Sequence, residues 1–166
     1  MVVVGLDPGL RSTGYAVLAG SRTGLVVREV GVLRASVPDL AGQLRDLYRE
    51  ATAVLREARP RWVVLEEVFS HPQHPRTAIL MGHVRGVLYL AAAELEVPVR
   101  ALAPAEVKQA VCGNGRATKA QVQAALRACL GLQGELDAHA ADALALAATV
   151  LARSGFPLRA PVVAAR

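Results

Sequence analysis

Two short apolar runs, VVVGL at residues 2–6 and WVVL at residues 62–65, each stop on a carboxylate: Asp7 in the first, Glu66 and Glu67 in the second. Runs of this kind, bounded by turn residues, suit strands buried on both faces, and such strands need helices to cover them. An ionised carboxylate at the edge of that core is costly unless it serves a turn, pairs with a cation or meets a ligand.

The rest of the chain supplies the covering elements. Val/Leu/Tyr-rich runs at 13–19 and 25–34 are set off by Pro8-Gly9 and by residues 21–24, so a meander of three strands is expected at the start. Over 39–58 the apolar positions Leu40, Leu44, Leu47, Ala51 and Leu55 recur at helical spacing, and Pro60 ends the pattern. After the loop SHPQHP (70–75), residues 76–95 read as a helix and 97–102 as a strand. Pro104 suits the first turn of a short helix. Thr118 and Gln121 have the spacing of a capping box that opens a helix to about residue 130, and a last helix is expected over 137–153. The order implies an α/β fold, a mixed five-stranded sheet flanked by helices. One domain over 1–155 is expected, with 156–166 a loose tail.

A length of 166 residues is enough for one core without staples. The two cysteines, Cys112 and Cys129, form no CxxC and no secretory leader is visible, so a cytoplasmic location is expected. Arg85, Glu94 and Asp142 interrupt the apolar stretches, leaving no uncharged span of ~20 residues for a bilayer and no membrane partner. Lys and Arg number 19 against 14 acids, a net charge of +5. That balance favours a polyanion partner, although arginine richness beside abundant alanine equally reflects genome composition.

The acids form a pattern. His139 and Asp142 stand three residues apart in the last helix and share one of its faces, whereas Asp137 points elsewhere. Each acid has a plain reading: Asp-Pro-Gly is an ordinary turn, Glu66-Glu67 an ordinary strand end, His139 a boundary histidine. Asp142, inside the apolar run AADALALAA, is the hardest to accommodate without a partner. Carboxylates gathered from strand ends and a facing helix repel one another, and a divalent cation relieves that repulsion; hard oxygen ligands suit Mg²⁺ or Mn²⁺.

The segments GLDPGLRSTGYAV (5–17), VLEEVF (64–69), APAEVKQAVCGNG (103–115), TKAQV (118–122) and HAADALALA (139–147) resemble, in order, the RuvC family of Holliday-junction resolvases. The resemblance implies an RNase H-like fold and a homodimer that uses Mg²⁺ or Mn²⁺ to cut four-way DNA junctions. Two symmetric phosphodiester bonds are hydrolysed, leaving 5′-phosphate and 3′-hydroxyl ends, in recombination and repair. A branch-migration helicase is implied as partner. The family's acidic positions fall on Asp7, Glu66 and Asp142, and the remaining catalytic position falls on His139, where many members carry aspartate and some histidine. On a two-metal scheme Asp7 is the shared ligand, Glu66 and Asp142 flank it, and His139 is a ligand or a water-orienting base whose protonation lowers activity.

The acidic pocket cannot itself attract DNA, so basic residues must. The family's DNA-contact lysines fall on Lys108 and Lys119, with Arg76 and Arg116 as further phosphate contacts and Phe69 as an aromatic that stacks on a base near the crossover. Ile79, Leu80, His83, Gly86, Val87 and Leu90 make a broad stripe on the 76–95 helix, the candidate dimer face. Three other readings share features with this one. Actin-like ATPases and sugar kinases share GLDPG but need two such domains. RNase H-like nucleases that trim ribosomal RNA precursors share the opening motif but are disfavoured by VLEEVF, VKQAV and HAADALALA. A non-catalytic junction-binding module has little reason to keep mutually repelling acids.

Overall fold

A computed structural model describes residues 1–67 and 75–159. Its strands are β1 (Val2–Asp7), β2 (Ser12–Ser21), β3 (Gly24–Arg34), β4 (Trp62–Glu66) and β5 (Val99–Leu102), and its helices are α1 (Leu40–Ala58), α2 (Pro75–Glu94), α3 (Pro104–Cys112), α4 (Lys119–Leu130) and α5 (Ala138–Arg153). The strands form one sheet in the order β3-β2-β1-β4-β5. The β1–β2 and β2–β3 pairs are antiparallel, and β4 lies parallel to both β1 and β5. The mixed sheet expected from the order of elements is therefore present, with β1 at its centre.

Helices cover both faces. Val4, Leu6, Val63 and Leu65 pack under α1 and α2 with Leu47, Leu55, Val84 and Leu88. Val3, Val64 and Leu102 pack on the other face with α5 and with Val107, Val111, Val122 and Leu126 from α3 and α4. The fifth strand is shorter than its apolar run, because Pro98 has no N–H for the ladder and offers only its carbonyl, which accepts from Val63 N at 3.1 Å.

Helix ends follow local chemistry. Asp39 accepts from Gly42 N at 2.8 Å to open α1, and Thr118 and Gln121 exchange the two bonds of a capping box at α4. Pro104 opens α3, where the Glu106 carboxylate accepts from Ala103 N at 2.8 Å. Asp137 accepts from His139 N at 2.9 Å and so caps α5, which begins at Ala138. The first part of the expected loose tail does not hang free. Phe156 packs its ring over Gly20, and Leu25 N donates to Arg159 O at 2.7 Å, so 156–159 are tied to the β2–β3 hairpin.

Candidate active site

Strand alternation selects the acids. On β1, Val3, Gly5 and Asp7 face α5, while Val4 and Leu6 face α1 and α2. On β4 the same rule sends Val64 and Glu66 towards α5 and leaves Glu67 on the opposite side. Leu6 pairs with Leu65, so Asp7 and Glu66 leave neighbouring strands at the same height and on the same face. The fold thus distinguishes Glu66 from Glu67 by parity alone.

Helix α5 reaches these acids because two glycines let it approach. A Cβ at Gly5 would overlap the Ala143 carbonyl, and one at Gly14 would overlap the carbonyl of His139. At that separation His139 Nδ1 lies 2.6 Å from Asp7 Oδ2. The Asp-Pro-Gly turn is pinned from below by fully buried Thr13, whose hydroxyl donates to Gly9 O at 2.9 Å and accepts from Gly9 N at 3.3 Å. Thr13 was not singled out in the sequence. Its signal there was a hydroxyl two residues into an apolar strand.

The electrostatics express crowding. Burial raises the Asp7 pKa above the ordinary carboxylate value of 3.8, Asp142 adds to the rise, and the His139 hydrogen bond opposes it. Burial likewise raises Glu66 above 4.5, reinforced by repulsion from Asp7 and Asp142 and opposed by Lys119 and Lys108. Asp142 forms an ion pair with Lys119, whose own pKa is raised chiefly by that bond and further by Asp7 and Glu66. The four predicted side chains therefore occupy one neighbourhood, but three of them are already paired, Asp7 with His139 and Asp142 with Lys119. Among the described residues no three His, Cys, Asp or Glu side chains are gathered tightly enough to grip one cation as they stand.

The donor set nevertheless fits a hard divalent cation. Three carboxylates, two of them held above their usual pKa by burial and mutual repulsion, are relieved most directly by a double positive charge. Glu66 and Asp142 line a cleft of about 210 Å³ between α3, α4 and α5, whose floor is Val107, Val122 and Leu146.

Lys108 and Lys119 also line this cleft. Sequence reasoning separated the DNA-attracting lysines from the acidic pocket, but helix α3 and the first turn of α4 bring both into it, Lys119 directly onto Asp142. Arg116, in the loop before α4, and Arg76, in the first turn of α2, are exposed and are not part of the cleft lining. Phe69 lies outside the described residues. Arg85 of α2 donates to the main-chain carbonyl of Glu66, a contact the sequence reading did not anticipate.

A family model described as crossover junction endodeoxyribonuclease RuvC matches residues 3–150. A crossover junction endodeoxyribonuclease RuvC from Rhodopirellula baltica is 44% identical over 146 residues, covering 87% of this chain and 82% of that protein. The structure of Thermus thermophilus RuvC superposes with a TM-score of 0.84 at 35% identity, covering 94% of this chain and 98% of that one. The T. thermophilus RuvC solved in complex with Holliday junction substrate gives a TM-score of 0.84 at 34% identity over 98% of this chain and 99% of that one.

Proposed function

Because this chain belongs to the RuvC family of crossover junction endodeoxyribonucleases, we propose that it resolves four-way DNA junctions by metal-dependent hydrolysis of two symmetric phosphodiester bonds. The observation that carries this reading is the convergence of Asp7, Glu66, His139 and Asp142 at one end of the sheet beside a lysine-bearing cleft. Divalent ions, Mg²⁺ with Mn²⁺ as a substitute, would be held by the three carboxylates with His139, and would supply water activation and stabilisation of the leaving 3′ oxygen.

The chain's own groups do the rest. Asp7 accepts from or donates to His139 Nδ1 and so fixes the imidazole ring, leaving Nε2 to face a ligand or a water. Lys108 and Lys119 place positive charge at the cleft wall, where the scissile phosphate and its neighbours bind. Lys119 neutralises Asp142 and is positioned to turn to a phosphate when a cation takes its place. Arg76, Arg116 and Phe69 would extend the DNA contact beyond the cleft, the arginines to phosphates and the aromatic ring to a base.

The homodimer and the helicase partner belong to the same reading. On α2, Ile79, His83, Gly86 and Leu90 face outward, with Ile79 63% and Leu90 51% exposed, while Val84 and Leu88 face the core. An apolar stripe of this kind, opened by glycine, suits an isologous pair. Among the described residues no helix is long and apolar enough to cross a membrane. The test is incubation of the protein with a synthetic four-way junction and with linear duplex, in Mg²⁺, in Mn²⁺ and in chelator. Paired nicks bearing 5′-phosphate ends, on the junction only and in metal only, are expected; no cleavage with either metal refutes the reading.

A further inference from the structure

The Glu66 carbonyl takes its hydrogen bond from outside the sheet. Glu67 N donates to Leu102 O at 2.8 Å, so residue 67 bonds towards β5, and strand alternation turns the carbonyl of residue 66 towards β1. The N–H that would meet it there belongs to residue 8, which is proline and has none. The β1–β4 register accordingly stops at Leu6 with Leu65. The residue that turns the chain away from Asp7 thus leaves the main chain of Glu66 without its ladder donor.

Arg85 fills that gap. Its Nη1 donates to the Glu66 carbonyl, its Nη2 lies 3.5 Å from the Tyr89 hydroxyl, and its guanidinium carbon sits 5.6 Å from the centre of the Tyr89 ring. Among the described residues Arg85 makes no ion pair. It is also the one Asp, Glu, Lys or Arg between Arg76 and Glu94, in a stretch otherwise suited to packing. A partly buried guanidinium spent on a main-chain carbonyl is costly unless that carbonyl must be held.

We infer that Arg85 is a positioning residue for Glu66: it supplies the donor that Pro8 withholds and fixes the peptide from which the Glu66 side chain projects into the cleft. This rests on the nuclease reading of Glu66. Tyr89, one turn further along α2, lies against the guanidinium and helps hold it at the strand end.

The test compares Arg85→Met and Arg85→Lys with the unaltered chain in single-turnover junction cleavage, junction affinity in chelator, and thermal melting. The Met variant keeps the apolar stem and loses the donors; cleavage should slow on the order of 10- to 100-fold, as for other groups that orient a metal-binding side chain. Junction Kd should stay at the wild-type value, and Arg85→Lys, which keeps a donor, should recover most of the rate. A wild-type rate in Arg85→Met, an equal loss of affinity and rate, or a Lys variant as slow as the Met variant overturns the inference. An unaltered protein that leaves the junction intact refutes the nuclease reading instead.

Discussion

Asp7 is the residue on which opposing demands meet. Its strand buries it, Asp142 repels it, and only His139 and Lys119 favour its charge. A carboxyl whose folded pKa is raised stabilises the fold most below its ordinary value, and that contribution is lost as pH rises through the folded pKa. At neutral pH the ionised group is therefore a strain on the metal-free protein. Asp7→Asn should abolish cleavage, keep junction binding, and raise the metal-free Tm, by about 2–4 °C for each ~1 kcal/mol relieved in a chain of this size. The rise in Tm that Mg²⁺ gives the unaltered protein should shrink in the variant; lost junction binding would mean Asp7 is structural instead. Since Asp7 and Glu66 must both lose protons to hold a cation, and both titrate above the ordinary carboxylate range, cleavage should increase with pH beyond the usual carboxylate window. His139→Ala should lower the rate on the order of 10²-fold and alter that pH profile. Full activity with an unchanged profile would remove His139 from the chemistry.

At the scale of elements, the site is a matter of how closely α5 lies on β1 and β2. Gly5 and Gly14 set that separation through contacts with the α5 backbone at Ala143 and His139. Gly14→Ala should push the helix away at its first turn, where His139 meets Asp7. The expected result is a lower Tm together with loss of cleavage out of proportion to it, measured by melting and single-turnover assay on the same preparation. Neither glycine announced this role in the sequence, where each reads as a small residue within a strand. Local signals did mark the helix starts, because Asp39, Thr118 with Gln121, and Asp137 act within a few residues of themselves. The acids at the ends of apolar runs were equally visible, and strand parity then separated Glu66 from Glu67. What the sequence left open depends on contacts between distant segments. Thr13 under the turn, Arg85 on the Glu66 carbonyl, Lys119 on Asp142 and Phe156 over Gly20 are each decided by packing that no local pattern encodes.

For the whole molecule, the charge and the exposed α2 stripe ask for different partners. A net charge of +5 with lysines at the acidic cleft suits a polyanion that wraps one end of the sheet. The stripe of Ile79, His83, Gly86 and Leu90 instead holds no Asp, Glu, Lys or Arg and exposes two large apolar side chains, which suits a second copy of the same surface. A junction with two-fold symmetry needs two equivalent sites at fixed separation, and an isologous contact is the simplest way to hold them. Ile79→Asp combined with Leu90→Asp places like charges across that contact. Within one chain both positions are solvent-exposed, so each change should alter intrinsic stability by no more than about 0.5 kcal/mol. The double variant should therefore melt as a folded protein, elute at the mass of a single chain where the unaltered protein elutes at twice that, and nick junctions on single strands rather than in matched pairs. If it elutes with the unaltered protein and still cuts in pairs, the α2 stripe is not a contact between copies.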